Sequence, residues 1–393
     1  MRLKKNMAEQ KAHFPTLNAI RFLAACTIVI VHIPVFAEYY GSPILRWEFA
    51  SHLVFGNGVS AFYILSGFLV TIMLMKAERT RQESNVPFDY KRYVIGRLLR
   101  ILPQLYLAAI ISAILFPFTV TGASLILIGL QLANVVRAFF PFSPINHLWS
   151  VSVEEHFFLL LPLMIRIAKR LPVLLTVLFI LRVITVLIGA AQPPDTPLYN
   201  FLLMYRWESL IIGSLAAYWY TQKHAAVAWI YRHDRLITVL TILTIIFVDG
   251  RPLENNIIAY FLNRLLASVI LGAFILNAAT NPKPLIKLDG PVWDWLARIT
   301  YGMFAHHVWV IYVVSQIYRP ADMNTSVVHS AIFALLVFIG VISVGWLTYT
   351  LVEKPAMKLR QRITATKHTL EQSSHAQPDA SEAAPALPTQ SAN

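Results

Sequence analysis

Two ionisable side chains share one face of the first long apolar segment. Arg21 and His32 stand eleven positions apart in it. In an α-helix this spacing puts two side chains about 16 Å apart along the axis and only about 20° apart around it. An ionisable group inside a membrane span is costly and usually functional. The pair suits an elongated ligand, with an anionic group at Arg21 and a reacting group at His32. The structural alternative is a snorkelling arginine and a histidine bonded to a backbone carbonyl.

A pair of arginines opens a later apolar segment. Arg97 and Arg100 are three positions apart, on one helical face, and Pro103 follows them. Two planar guanidinium groups at a membrane entrance suit the binding of phosphate groups. Contact with lipid headgroups is the alternative for this pair.

The densest polar cluster lies between residues 147 and 156. Its members include His147, Trp149, Ser150, Ser152, Glu154, Glu155 and His156. A Ser-x-x-Glu capping box explains the Ser152 and Glu155 pair structurally. Capping does not explain Glu154 or the two histidines at a membrane edge. The His-x8-His spacing is not typical of zinc sites and no cysteine accompanies it, so no metal site is predicted.

Three more polar groups interrupt apolar segments. Ser66 precedes Gly67, a small pair that is also typical of close helix packing. Glu208 lies beside Arg206, where ion pairing is an equally good explanation. His307 is the second of two adjacent histidines, and histidines in a bilayer core need polar partners, so a polar cavity is predicted.

Membrane-spanning helices must position these residues. The 393 residues are 57% hydrophobic and 13% charged, against roughly 45–50% and about 25% in soluble domains. Spanning a bilayer takes about 20 apolar residues, and the sequence predicts an all-α polytopic bundle of about ten transmembrane helices. The predicted spans are residues 16–36, 52–75, 97–120, 153–168, 171–191, 204–221, 235–249, 257–276, 297–317 and 328–352.

The charge pattern indicates the topology and excludes a nucleic-acid partner. The net charge is +13, but the cations cluster in alternate short loops between the apolar segments, which is the positive-inside pattern. Both termini are therefore predicted to be cytoplasmic. The block 123–140 carries Gln131, Asn134 and Arg137 on one face, which favours an external or re-entrant segment.

Three regions follow from this pattern. Residues 1–15 form a basic cytoplasmic head, and residues 16–355 form the transmembrane domain. Residues 356–393 form a cytoplasmic tail, predicted to be mostly disordered from about residue 364 because it has few large apolar residues.

Taken in order, the motifs resemble the acyltransferase-3 family of membrane acyltransferases. The resemblance covers residues 16–355, nearly the whole folded chain. It rests on Arg21-x10-His32, Phe62 to Phe68, Arg97-x-x-Arg100, Trp149 to Glu155, Tyr301 to His307 and Glu353-x-Pro355. Departures from the family pattern include His156 in place of a glutamine, and Gly302 and Phe304 in place of serine and tyrosine.

The resemblance implies an acyltransferase of the bacterial inner (cytoplasmic) membrane. Such an enzyme moves an acyl group, most often acetyl, from cytoplasmic acyl-CoA to a hydroxyl group. The expected acceptor is a cell-surface polysaccharide such as lipopolysaccharide, or its lipid-linked precursor. A macrolide-like small molecule as the acceptor, and a succinyl or longer acyl group, remain open. Acetyl-CoA is then the expected donor and the bilayer and glycan are the expected partners, with no metal.

Each polar residue then has an expected role. His32, Arg21, Glu154 and Glu155 are expected to be catalytic. Arg97, Arg100, Arg21 and Ser66 are expected to bind the donor, and Trp149, Ser150, His307 and Glu208 the acceptor. Unperturbed imidazole titrates near pH 6.5, which suits His32 as a general base on the acceptor hydroxyl. Acylation of His32 itself is the other route.

Two other functions remain open at the level of sequence. A proton-coupled transporter or flippase would use the same buried arginine, histidine and glutamate side chains as a relay, and its activity would follow the proton gradient. A non-catalytic scaffold would tolerate the loss of Arg21 and His32 together.

Overall fold

The computed structural model describes residues 14–41, 44, 57–85, 87–140, 143–168, 170–194, 196–248, 256–322 and 324–362. Within these ranges the chain is helical and contains no β-strand, which confirms the predicted fold class. Most of the predicted head and disordered tail lies outside the described residues. The first residues of the tail, 356–362, are helical.

Fourteen helices are described in chain order. They are α1 Pro15–Tyr39, α2 Asn57–Ser84, α3 Tyr90–Leu115, α4 Gly122–Gly129, α5 Ala133–Phe139, α6 Trp149–Ala168, α7 Leu171–Ala190, α8 Pro197–Met204, α9 Trp207–Thr221, α10 Ala225–Arg232, α11 Asp234–Phe247, α12 Ile257–Thr280, α13 Pro291–Ile317 and α14 Val327–Thr348. A 3₁₀ turn, Asn146–Leu148, precedes α6. A π-helical turn, Tyr349–Glu353, follows α14 and continues into a helical stretch at 354–362.

Seven of the described helices are long and apolar enough to cross a membrane. These are α1, α2, α3, α6, α7, α12 and α14 with its continuation. The other three predicted spans correspond to α9, α11 and α13, of which α9 and α11 have only 15 and 14 residues. The protein is therefore a multi-pass membrane protein. The total of ten spans and the side on which the termini lie stay predictions.

Side chains at helix starts explain several boundaries. Asp89 accepts a hydrogen bond from the Arg92 amide at the start of α3. Asn256 accepts from two backbone amides at the start of α12, and Ser326 accepts from the His329 amide at the start of α14. Each cap satisfies an amide that lacks an intrahelical partner.

The second helix is longer than its apolar segment. The sequence predicts a span that ends near Met75, followed by a basic loop, but α2 continues to Ser84. Two exposed ion pairs within this extension, Arg79 with Glu83 and Arg81 with Glu78, each at 2.7 Å, have the helical spacing that supports an exposed helix.

The polar block between α3 and α6 forms two short helices. α4 and α5 have eight and seven residues, and neither is long enough to cross a bilayer. They are separated at Gln131, whose φ is +60°. Placement outside the membrane or in a re-entrant position stays a prediction.

Close backbone contact fixes α2 against α9. A Cβ atom at Gly67 would lie 2.2 Å from the Leu210 carbonyl oxygen, and one at Gly213 would lie 2.1 Å from the Ile64 carbonyl oxygen. Such contact between small residues is a common way to join helices in a membrane. On the other side, α1 packs against α2 and α13, and α13 packs against α14.

Candidate active site

A cavity of about 690 Å³ lies where α1, α2, α3, α6, α13 and the turn after α14 converge. On α1 its wall runs from Asn18 to Ile28, which is about 15 Å along a helix axis. The polar side chains that line it include Asn18, Arg21, Ser66, Arg97, Arg100, Ser150, Glu154, Asp294, Arg298 and Glu353. Six of the eleven residues predicted for the site therefore meet in one cavity, drawn from α1, α2, α3 and α6.

The two glutamates of α6 have different surroundings. Glu155 is buried and forms a two-bond ion pair with Arg97, at 2.5 and 3.2 Å. Glu154 lines the cavity, accepts a 2.6 Å hydrogen bond from the Ser66 hydroxyl, and lies 4.0 Å from the Arg97 guanidinium. The Arg97 guanidinium also stacks 3.6 Å over the Phe158 ring. Glu155 therefore anchors Arg97, while Glu154 faces the cavity.

Arg21 is held at the cavity wall by a bridge to α13. Its guanidinium donates to the Asn18 side chain at 3.4 Å, and Asn18 donates to Asp294 at 2.7 Å. Arg100 and Glu154 lie within electrostatic reach of Arg21. The predicted anion-binding position therefore contains a half-buried cation.

His32 lies one helical turn beyond the inner end of the cavity wall. Ile28 and Phe304 line the cavity, and His32 and His307 follow them by four and three positions in α1 and α13. Nδ1 of His32 lies 3.0 Å from Nε2 of His307. Nδ1 of His307 lies 2.7 Å from the Phe304 carbonyl oxygen.

These contacts determine which nitrogens carry protons. A carbonyl oxygen only accepts, so Nδ1 of His307 donates to Phe304 and Nε2 of the neutral ring accepts. The proton between the rings then sits on Nδ1 of His32. Nε2 of His32 is left with its lone pair, as a general base requires.

Neighbouring histidines have structural partners. His147 contacts the carbonyl oxygens of Pro144 and Ala305 at 3.2 and 3.0 Å, which ties the turn before α6 to α13. His306 accepts from the Trp309 indole at 2.9 Å and donates to Gln104 at 2.9 Å. No group of three or more metal-ligating side chains is arranged for a metal ion within the described ranges.

His156, which the sequence left unexplained, has a hydrogen-bond partner at each ring nitrogen. The Tyr205 hydroxyl donates to Nδ1 of His156 at 3.1 Å. Nε2 of His156 then donates to the Gln131 carbonyl at 2.8 Å. The histidine thus holds the link between α4 and α5 against α6.

Of the four predicted acceptor-binding residues, His307, Glu208 and Trp149 do not line the cavity. Glu208 is fully buried in an ion pair with Arg182 at 2.9 Å. Trp149 lies under the Arg206 guanidinium, 4.9 Å from its ring centre. By contrast, Ser150 lines the cavity and its carbonyl accepts a 2.8 Å hydrogen bond from Tyr63. The structure does not bring Glu208 together with the other predicted site residues.

The cavity lining contains residues to which the sequence analysis assigned no role in the site: Glu353 was named only as part of a motif, and Arg298, Met357 and Arg360 were not named. Arg298 of α13 and Glu353 of the π-helical turn line the cavity, as does Met357 one turn later. Arg360 continues the stripe Glu353–Met357 along the same helix face, and lies against Gly96, where a Cβ atom would come within 2.8 Å of its Nε. Their signal in the sequence was the spacing of 353, 357 and 360 at helical intervals.

Comparisons with known proteins identify the family of the chain. The model of the family described as an acyltransferase domain, Acyl_transf_3, matches residues 14–350. A putative O-acetyltransferase of Staphylococcus aureus strain COL, SACOL0978, is 22% identical over 387 residues, which cover 88% of this chain and 58% of that protein. No solved structure matches the chain.

Two further relatives are similar over shorter stretches. The peptidoglycan O-acetyltransferase OatA of Listeria monocytogenes is 25% identical over 175 residues, which are 41% of this chain and 25% of that protein. The O-acetyltransferase OatA of Staphylococcus aureus strain NCTC 8325 is 25% identical over 170 residues, which are 39% of this chain and 25% of that protein. The matched part thus amounts to between a quarter and three fifths of each relative's length. With the family model matched from residue 14 to residue 350, the chain belongs to the acyltransferase-3 family.

Proposed function

We propose that this protein is an inner-membrane O-acetyltransferase that moves an acetyl group from cytoplasmic acetyl-CoA to a hydroxyl group of a glycan. The observation that carries the proposal is the 3.0 Å contact between Nδ1 of His32 and Nε2 of His307, one turn beyond a cavity that arginines line. The relatives' names include O-acetyltransferase and, for the Listeria protein, peptidoglycan as the acceptor. A cell-surface polysaccharide or its lipid-linked precursor is the corresponding acceptor class here.

The shape of the cavity suits the donor. Its volume of about 690 Å³ lies in the range of small-molecule sites, which is roughly 300–1,000 Å³. Arg100 and Arg298 line the cavity, and their guanidinium groups can bind the phosphate groups of the donor. The apolar far end, formed by Ile28, Val59 and Phe304, suits the thin pantetheine arm and the thioester.

The proposed chemistry is a single displacement. The acceptor hydroxyl oxygen attacks the thioester carbonyl carbon while Nε2 of His32 takes the hydroxyl proton. The C–S bond then breaks, and the proton on the imidazolium passes to the departing thiolate. The products are an O-acetyl ester and free CoA thiol. In the alternative route the acetyl group resides on Nε2 of His32 before it reaches the acceptor.

Purified protein in detergent, supplied with labelled acetyl-CoA and crude envelope glycan, tests the proposal. We expect label to move to glycan with the wild-type protein and not with His32→Ala. His329→Ala is the matched control, because His329 pairs with the exposed Asp322 away from the cavity.

Three outcomes separate the candidates. Transfer by His32→Ala at the wild-type rate would contradict the role of His32. Label retained on wild-type protein without acceptor, and absent from His32→Ala, would favour the acyl-histidine route. An absence of donor binding and turnover with acetyl- and succinyl-CoA, combined with activity that follows a proton gradient, would favour the transporter or flippase.

A further inference from the structure

A second cavity lies at the junction of α10 and α11. It measures about 560 Å³ and is lined by Tyr231, Arg232, His233, Asp234, Arg235, Leu236, Lys283 and Leu285. We call it the junction pocket. Tyr231 of its lining packs against the same apolar cluster as Phe14 and Tyr220, so the pocket lies at the end of the bundle near the start of α1 and the end of α9. This end is the one that the charge pattern predicts to be cytoplasmic.

The junction pocket has a surplus of positive charge. Its single carboxylate, Asp234, already accepts hydrogen bonds from the Asn277 amide at 2.6 Å, the Leu285 backbone amide at 2.6 Å and the Thr238 hydroxyl at 3.3 Å. The hydrogen bonds of Asp234 therefore link the start of α11 to the end of α12. Arg232, Arg235 and Lys283 form no ion pair with any described residue, so the pocket lining holds three cations and one carboxylate.

Exposed apolar side chains border these cations. Trp229, Leu236 and Leu285 are each about half exposed, at 52%, 48% and 57%. The short helix α10 buries Val227 and Ile230 against the bundle and leaves Trp229 outward. An amphipathic helix with basic residues and tryptophan is typical of the membrane interface. The pocket therefore lies where phosphate headgroups and the first part of the acyl chains meet.

We propose that the junction pocket binds the phosphate headgroup of an anionic phospholipid from the cytoplasmic leaflet. Arg232, Arg235 and Lys283 contact the phosphodiester, and Trp229, Leu236 and Leu285 contact the glycerol and upper acyl chain. A basic pocket between helices at the cytoplasmic side is a known kind of lipid site. A soluble phosphate compound would use the same cations but would gain nothing from the apolar border.

Native mass spectrometry of the purified full-length protein tests this assignment. Phosphatidylglycerol, and in parallel phosphatidylcholine, is titrated into the detergent solution and the retained lipid is counted. We expect preferential retention of phosphatidylglycerol, and a loss of roughly tenfold or more in its affinity in the variant Arg232→Gln/Arg235→Gln/Lys283→Gln. The matched control is Lys76→Gln/Arg79→Gln/Arg81→Gln, which removes the same charge from the exposed end of α2.

The outcomes are distinguishable. Equal weakening by both triple variants would overturn the proposal, because it would show diffuse attraction to surface charge. In the wild-type protein, glycerol 3-phosphate at millimolar concentration should not compete with phosphatidylglycerol on equal terms. If it does, the ligand is a soluble phosphate compound and the lipid assignment is overturned. The single variant Trp229→Ala should weaken phosphatidylglycerol binding and leave glycerol 3-phosphate binding unchanged. None of these measurements depends on acetyl transfer.

Discussion

His307 holds His32 through one hydrogen bond between ring nitrogens that are 3.0 Å apart. His307 is in turn fixed by the Phe304 carbonyl at 2.7 Å. In the proposed reaction this chain keeps the Nδ1 proton on His32 in place and leaves Nε2 to act as the base. His307 then positions the base. The sequence suggests instead that His307 contacts the acceptor.

We expect His307→Ala to lower the rate of acetyl transfer by about 10- to 100-fold, the usual cost of losing a residue that orients a reactive imidazole. His307→Asn should recover part of the rate, because its amide oxygen can accept from His32. Initial rates at saturating donor, together with the pH profile, provide the measurement. A changed acceptor KM with an unchanged kcat would instead support a role in acceptor binding.

Substitution of the two glutamates of α6 should have different effects, one on the stability of the fold and the other on the rate of transfer. Glu155→Ala leaves the half-buried Arg97 without its ion pair, and breaking such a pair costs about 3 kcal/mol. Glu154→Ala removes a group that only Ser66 bonds closely, so we expect folded protein with reduced transfer. Thermal unfolding followed by size-exclusion chromatography measures the first effect, and the transfer assay measures the second. The exposed variant Glu83→Ala should change neither. An unstable Glu154→Ala with a stable Glu155→Ala would reverse the assignment.

Arg360 should contribute to donor affinity. We expect Arg360→Ala to raise the KM for acetyl-CoA by about fivefold to tenfold, in line with the loss of a charge-assisted hydrogen bond, and to leave kcat unchanged. Gly96→Ala should act in the same direction because its methyl group displaces the Arg360 side chain. Lys358→Ala, on another face of the same helix, is the control.

A donor without phosphate groups tests the origin of that effect. With S-acetylpantetheine the wild type and Arg360→Ala should have the same KM, because the donor has nothing for the guanidinium to bind. An undiminished difference between the two proteins would mean that Arg360 acts on the fold of the mouth.

The pair of Arg182 and Glu208 should be structural. Both side chains are buried, and removal of one partner from a buried ion pair costs about 3–5 kcal/mol. Glu208→Ala should therefore reduce the yield of folded protein, while the folded fraction retains its specific activity. The double variant Arg182→Met/Glu208→Leu should recover stability, since no buried charge is left unpaired. A stable but inactive Glu208→Ala would return Glu208 to the acceptor site.

Helical periodicity predicted much of the site and could not predict the rest. The spacing of Arg21 and His32 correctly indicated one face of α1, because that relationship is local to a helix. The contact between His32 and His307 joins positions 275 apart in the sequence, and no local pattern encodes it. Glu208 was assigned to the acceptor from its place at the start of a span. Only the packing of α7 against α9 shows that Arg182 is its partner.

The predicted helix boundaries were wrong where side-chain contacts, and not the apolar pattern, determine where a helix ends. The end of α2 was placed near Met75 because hydrophobicity falls there, yet exposed ion pairs carry the helix to Ser84. The segment 204–221 was predicted as one helix, but it is interrupted at Tyr205 and Arg206. At this interruption Tyr205 bonds to His156 and Arg206 lies over the Trp149 ring. Hydropathy contains no information about such contacts.

The π-helical turn at Tyr349–Glu353 sets the angular phase of the helix that follows it. Such a turn holds one residue more than an α-helical turn, and one residue corresponds to about 100° of rotation. Glu353 and Met357 meet the cavity, and Arg360 meets Gly96, only in this phase. Deletion of one residue from the turn would swing the stripe away from the mouth by more than a quarter of a circle. Register alone would then decide whether the donor is recognised.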